Sequence, residues 1–173
     1  KSKVEIMKVI KITNETKNDV IQFFIEHWGS AEMVVSSGVY NCSELDGFIY
    51  VNEHDDITGL ITYIIRNNEC EIISLDSIEE GKGIGTELVR VVEDLAKQHR
   101  CEIVSLITTN DNLHALKFYQ KRGYRIVEVI PKKKKKARAI KPSIPLIGND
   151  NIPLHDELKL QKVLRYIQRG ELK

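Results

Sequence analysis

The chain has 173 residues, of which 42% are apolar and 29% charged, with a formal net charge of +1. That balance suits one globular domain with a real core, and the near-zero charge gives no global field that would select nucleic acid or a membrane. No apolar run approaches the ~20 residues that span a bilayer, and Cys42, Cys70 and Cys101 are scattered without metal-ligand spacing, which excludes an obvious metal site and suits a reducing cytoplasm.

Val4 to Ile12 reads as a first strand. Thr13 or Asn14 is placed to cap a helix over Lys17 to Trp28, whose Val20, Ile21, Phe23, Phe24 and Trp28 make a broad apolar face, and Gly29 stops it. Residues 30–46 show no clear period and several turn formers. Gly47 to Asn52 and Ile57 to Arg66 are strands joined by the polar turn Glu53 to Asp56. Asn67-Asn68 then turns tightly into a third strand that opens at Glu69 and carries Ile72, Ile73, Leu75 and Ile78.

An acidic turn, Asp76 to Glu80, leads into Gly81-Lys82-Gly83-Ile84-Gly85-Thr86. A helix begins there. Ile84, Leu88, Val91, Val92 and Leu95 recur at helical spacing, with Glu87, Arg90, Asp94 and Lys97 on the other face. Arg90 with Asp94 and Glu93 with Lys97 are i,i+4 pairs of opposite sign. Glu102 to Thr109 is a buried-type strand, and a helix between two strands suits a parallel βαβ unit. Asp111 or Asn112 starts a helix running to about Arg122, with Gly123 as its stop. Tyr124 to Ile130 is the next strand, ended by Pro131. Lys132 to Lys136, followed by Arg138 and Lys141, reads either as an electrostatic patch for a nucleotide phosphate or RNA or as a solvated run, and the solvated reading is favoured because charge runs usually are. From His155 to Leu164 the residues fit two periods: Leu158 and Leu160 alternate as in a strand, while Leu160, Val163, Leu164 and Ile167 fit a helix.

The strand, glycine loop and helix around residues 69–97 point to an anion. The first N–H groups of a helix lack intrahelical partners, and the helix dipole adds positive character there. Glycines let a phosphate approach the backbone, and Lys82 adds a mobile cation. The spacing does not fit a Walker loop, and a dinucleotide fingerprint would need a glycine where Thr86 stands. Downstream stands Asn110-Asp111-Asn112-Leu113-His114-Ala115-Leu116-Lys117-Phe118-Tyr119-Gln120-Lys121-Arg122-Gly123-Tyr124.

Together the two segments resemble the GNAT superfamily of acetyl-CoA-dependent N-acetyltransferases. The first is similar to the family's pyrophosphate loop, Gln/Arg-x-x-Gly-x-Gly/Ala, at Gly83 and Gly85; the second is similar to its Asn-x-x-Ala-x-x-Phe-Tyr-x-x-x-Gly-Phe/Tyr segment at Asn112, Ala115, Phe118, Tyr119, Gly123 and Tyr124. One position departs: Glu80 stands where the family has Gln or Arg. That weakens one loop contact and leaves the backbone donors in place. The resemblance covers about residues 4–130.

The resemblance implies an α+β fold: a central, mostly antiparallel twisted sheet with one parallel, splayed strand pair, flanked by helices. It also implies a closing strand within residues 155–164, beside Tyr124 to Ile130. The chain is then a single N-acetyltransferase domain over 1–173, with core motifs at 69–130 and a C-terminal extension at 131–173. Acetyl-CoA is the implied co-substrate. Its pyrophosphate would lie on the backbone of Gly81, Lys82, Gly83, Ile84, Gly85 and Thr86. Its pantetheine arm would pair with Leu75 and Ser77, helped by Asn112 and, more weakly, Asn110. Residues 30–46 would cover the acceptor side, where Glu32, Tyr40 and Glu44 are candidate contacts.

Acetyl transfer to an amine needs a held thioester, a neutral amine, an oxyanion donor and a proton for the leaving thiolate. Tyr119 matches the family tyrosine that faces the sulfur, and its phenol, with an ordinary pKa of about 10, is a neutral donor at pH 7. Glu71 matches the strand glutamate that some members use as a base, directly or through water; Asp76 is the second choice. A cysteine ping-pong route lacks a local base. The expected function is transfer of acetyl from acetyl-CoA to a primary amine in a ternary complex, without metal. The acidic residues Glu32, Glu44, Asp46, Asp55 and Asp56 favour a cationic acceptor. The rival readings are a non-catalytic acyl-CoA sensor, opposed by intact Tyr119 and Asn112, and a nucleic-acid-associated protein using the lysine run. The acceptor's identity and the oligomeric state are not set by the sequence.

Overall fold

In a computed structural model of the chain, residues 8–131 and 146–164 are described. Seven strands form one sheet in the order β1-β4-β5-β6-β7-β9-β8. The strands are β1 (Lys8–Lys11), β4 (Asp46–Val51), β5 (Ile57–Arg66), β6 (Glu69–Ser77), β7 (Ile103–Thr109), β8 (Arg125–Pro131) and β9 (Asp156–Val163). Every pairing is antiparallel except β6 with β7. The mixed sheet and its one parallel pair are as the resemblance implied. The closing strand does lie beside β8, and it also inserts between β8 and β7, so β9 is covered on both edges. The lysine run and residues 4–7 of the expected first strand lie outside the described residues.

Among the described residues three α-helices pack on the two faces. α1 (Lys17–Trp28) buries Val20, Phe23 and Phe24 against Ile49, Val51, Leu60 and Ile73. Gly29 ends it in the left-handed conformation, φ 74°, which glycine adopts without a Cβ penalty. α2 (Ile84–Gln98) and α3 (Leu113–Lys121) cover the opposite face, where Leu88, Val89, Val92 and Ala96 meet Ile61, Tyr63, Cys70, Ile72, Val104 and Leu160. None of the described helices is long and apolar enough to cross a membrane.

Two expectations change. Residues 30–46, which show no period, hold a short hairpin: β2 (Glu32–Val35) and β3 (Gly38–Asn41) pair antiparallel, with Ser36 and Ser37 at the tip. Glu93 does not turn to Lys97. It is buried in the α2 interface, where both carboxylate oxygens accept from Lys162 at 3.0 Å and one accepts from the Tyr124 hydroxyl at 3.3 Å. A long-range, partly buried pair displaces the local surface pair because partial shielding from water strengthens its attraction, whereas an exposed i,i+4 pair contributes only ~0.3–0.5 kcal/mol. The Arg90–Asp94 pair forms as expected, at 3.8 Å.

Candidate active site

The parallel pair sets the site. β6 and β7 pair only from Glu69 with Ile103 to Ile72 with Leu106. Beyond that point the two strands diverge. A register shift helps: Thr62 of β5 faces Ser74 while Tyr63 faces Ile72, so Ile73 is an extra residue in β6. Such a bulge bends its strand. The edge of β6 from Ser74 to Ser77 is therefore paired with β5 and has no strand partner on the β7 side among the described residues.

Two cavities open into this split. One, of about 450 Å³, runs along Leu75, Asp76 and Ser77 to Gly81, Gly83, Ile84, Gly85 and Thr86, and is walled by Asn112, Phe118, Tyr119 and Arg122. The other, of about 290 Å³, lies between the split and the β2–β3 hairpin, with Trp28, Glu32, Met33, Val34, Val35 and Glu157 in its wall. They share Leu75, Asn112, Ala115 and Tyr119.

The loop has the form an anion needs. Gly83 caps α2 with φ 72°, and Gly81 has φ 76°. Gly85 is required for a different reason: a Cβ there would come within 3.3 Å of the Phe118 ring, which closes the groove. Lys82 is not in the groove wall and pairs with Glu79 at 3.2 Å. Asn112 caps α3, its Oδ1 accepting from the Ala115 N–H at 3.2 Å and its amide donating to Thr108 at 3.2 Å. Asn110 lies elsewhere. Its amide donates to the Pro153 carbonyl and accepts from the N–H groups of His155 and Asp156, so it fastens the loop before β9 and lines neither cavity.

Tyr119 is 5% exposed and stands where the cavities meet. It packs edge-on against Phe118 and Tyr124, with centroids 5.0 and 5.3 Å away. Burial, with the Asp76 carboxylate nearby, pushes its phenol well above the ordinary value, so it holds its proton at neutral pH. Burial also raises the Asp76 carboxyl to about 6, opposed by a hydrogen bond from Trp28 and by His27.

Glu71 is buried but is not in either cavity wall. Its carboxylate accepts from Ser37 at 2.7 Å and from Arg66 at 3.2 Å. Arg66 also donates to the Tyr40 hydroxyl at 2.5 Å, and Tyr40 and Ser37 are 2.9 Å apart, which closes a four-membered ring. Both Glu71 oxygens are thus engaged, and its partner Ser37 lines neither cavity, so a route from Glu71 to the cavities needs water. Of the three acceptor-side candidates, Glu32 lines the smaller cavity, Tyr40 belongs to this ring, and Glu44 pairs with Lys17 at 2.7 Å. The cysteines are buried, and burial raises the Cys70 thiol to about 12, the opposite of what a nucleophile needs.

The model of the acetyltransferase (GNAT) family matches residues 13–124. The chain belongs to the GNAT acetyltransferase family. It is 50% identical over 159 residues to the uncharacterized protein YxbD of Bacillus subtilis (strain 168), covering 92% of this chain and all of that one. Among solved structures, it is similar to an IAA acetyltransferase from Bacillus cereus ATCC 14579 (22% identity, TM-score 0.68, 92% of this chain and 100% of that one). It is also similar to a GNAT family acetyltransferase from Elizabethkingia anophelis with acetyl-CoA bound (18% identity, TM-score 0.67, 91% and 98%). At these identities the two structures speak for the fold.

In this GNAT acetyltransferase two residues at the cleft escape the sequence reading. Arg122 lies over the Phe118 ring, 3.6 Å from its centroid, and donates to the Thr86 hydroxyl and, at 2.7 Å, to the Phe118 carbonyl. Its signal was present: it follows Tyr119 by three residues, which is one helical turn on the same face. Glu157 gave none, because its depth depends on β9 being an inner strand.

Proposed function

We propose that this protein transfers acetyl from acetyl-CoA to a primary amine by direct attack within a ternary complex. The observation that carries the reading is the junction of two cavities at Tyr119: a glycine-lined groove arrives from one side and a smaller, hairpin-roofed cavity from the other. A sensor domain needs only the first.

In this reading the start of α2, from Gly81 to Thr86, takes the pyrophosphate on backbone N–H groups, and Arg122 supplies a cation beside Thr86 that compensates for Glu80. The unpaired edge of β6 at Leu75 and Ser77 holds pantetheine as an added strand would be held. A free N–H on that edge polarises the thioester carbonyl. The amine enters from the hairpin side and attacks the carbonyl carbon. As the C–S bond breaks, Tyr119 gives its proton to the sulfur; its raised pKa keeps that proton available until the thiolate develops. Glu71 holds the hairpin tip in place through Ser37, and any base role it has runs through water. Residues 1–173 act as one catalytic domain, and the buried thiols suit a reducing cytoplasm.

Calorimetric titration with acetyl-CoA tests this directly, with ATP as control, followed by thiol-release assays on a panel of primary amines. Saturable binding of acetyl-CoA and not ATP, with amine-dependent thiol release, is the expected result. Binding without release from any amine would favour the sensor, and binding of neither nucleotide would return the glycine loop to a structural role.

A further inference from the structure

The acceptor side of the cleft holds a carboxylate that the transfer scheme leaves without a task. Glu157 lies on β9, opposite Thr109 of β7 and Ile130 of β8. It is 1% exposed and forms part of the wall of the 290 Å³ cavity. Its Oε2 accepts twice from Ser36 at the hairpin tip, from the backbone N–H at 2.9 Å and from the hydroxyl at 2.6 Å. Its Oε1 is buried and has no hydrogen-bond partner among the described residues. A buried carboxylate oxygen left unmatched is costly, and such groups mark places where a ligand completes the structure.

The surrounding wall sets what can complete it. Trp28, Met33, Val35 and Leu106 present apolar surface beside the neutral polar side chains of Ser74, Thr108, Thr109 and Asn112, and no lysine, arginine or histidine stands among the described residues of the wall. The other carboxylate, Glu32, is exposed. One deep carboxylate, no cation among the described residues and apolar surface interrupted only by neutral polar groups and the rim residue Glu32 suit a single positive charge carried on an apolar stem.

We infer that Glu157 receives the ammonium of the acceptor on Oε1 and takes its proton, and that the acceptor is a primary monoamine with an apolar stem. This rests on the acetyl-transfer reading above. An N–H bond of the ammonium breaks and the proton passes to Oε1. The freed lone pair forms the C–N bond with the acetyl carbon, and the C–S bond breaks. Nitrogen sheds a second proton as the amide forms, which matches the one Tyr119 gives to sulfur, so each turnover leaves one proton on Glu157 for release to solvent. Exclusion of water favours this transfer, because a neutral acid beside a neutral amine loses less on burial than an ion pair does. The two bonds from Ser36 hold Oε2 and so fix where Oε1 points.

The test uses 2-phenylethylamine as probe, titrated calorimetrically into the protein alone and with saturating CoA, for wild type and Glu157→Gln. Glutamine keeps an acceptor for Ser36 and removes the charge. The expected result is binding to wild type that weakens at least tenfold in the variant, while CoA affinity stays the same, and a fall of 100-fold or more in acetyl-CoA-dependent thiol release with this amine. Equal affinity in the two proteins, or no amine binding by wild type, overturns the inference. Should Glu157→Gln fail to fold, wild type alone decides: tenfold preference for 2-phenylethylamine over the uncharged 2-phenylethanol supports it, and equal affinity overturns it. Loss of CoA binding in wild type would sink the acetyl-transfer reading, whereas the amine titration on the protein alone still judges Glu157.

Discussion

The ring of Phe118 occupies the space where a side chain at residue 85 would begin: a Cβ on Gly85 would stand 3.3 Å from two of its carbons. The glycine therefore sets how closely the start of α2 approaches α3, and Phe118 passes that position on to Tyr119, which it meets edge-on. Arg122 lies over the ring, 3.6 Å from its centroid, so the ring has little room to retreat. Gly85→Ala asks for a shift of a few tenths of an ångström. Gly85→Val adds two methyl groups in the same place and should destabilise by about 1–3 kcal/mol, the usual cost of overpacking. It should also weaken acetyl-CoA binding by opening the groove. Urea unfolding and calorimetry of both variants would check this; a valine variant indistinguishable from the alanine one would mean that the close approach has no consequence.

Gly83 is constrained by conformation and not by space. Its φ is 72° and a Cβ would meet nothing within 4 Å. Asparagine and aspartate both tolerate the left-handed region better than other residues and differ here only in charge. Gly83→Asn should therefore keep most of the acetyl-CoA affinity. Gly83→Asp places a carboxylate at the helix N-terminus, against the diphosphate, and should bind at least about tenfold more weakly than the asparagine variant. Equal affinities would show that no phosphate approaches the loop.

The left-handed Gly83, the Asn112 cap and the close approach at Gly85 follow from local signals: a helix start needs a cap, and close backbone approach needs glycine. The splay of β6 from β7 followed from the same βαβ segment. The rest depended on contacts distant in sequence. The strands of the β2–β3 hairpin have four residues each, too short for a period to show. Their tip is held instead by Glu71, 34 residues from Ser37, and by Glu157, 121 residues from Ser36. Glu157 itself looked like the polar phase of an alternating strand, and only the insertion of β9 between β7 and β8 buries it. Asn110 misled for the converse reason. It follows β7 directly, as a ligand-facing residue would, but its amide is used by Pro153, His155 and Asp156.

Tyr119 tests the chemistry apart from the binding. Phenylalanine preserves its packing against Phe118 and Tyr124 and removes only the hydroxyl. Tyr119→Phe should leave acetyl-CoA affinity within about threefold and lower turnover by about 100-fold or more, the usual scale for a lost general acid. An unchanged rate would remove it from that role. A loss in affinity as large as the loss in rate would make it a binding residue.

The ring formed by Glu71, Ser37, Tyr40 and Arg66 predicts a dynamic effect. Glu71→Gln keeps an acceptor for Ser37 but removes the charge from that bond and from the one Arg66 donates, so the anchor of the hairpin tip at Ser37 weakens while the one at Ser36 stays. Charge-assisted hydrogen bonds are worth about 1.5–3 kcal/mol, so protection of the β2–β3 amides against hydrogen exchange should fall by about tenfold or more. For an amine substrate, KM should rise with kcat little changed, because the roof of the cavity loosens while the reacting groups stay. Intact hairpin protection together with a large drop in kcat would instead place Glu71 in the proton path.

Asp76 links the site to pH. Burial raises its carboxyl from an ordinary 3.8 to about 6, so the folded state binds this proton more tightly than the unfolded chain does. Between those two values the folded state holds more protons, and stability must fall as pH rises through the window. The cost is absent below 3.8, complete above about 6, and at most about 3 kcal/mol. Asparagine at this position has no charge to desolvate. Relative to wild type, Asp76→Asn should therefore gain stability between pH 4.5 and pH 7.5, measured as the difference in urea unfolding free energy at each pH. A stability difference that does not move with pH would mean that Asp76 titrates alike in both states and that the cleft does not shield it from solvent.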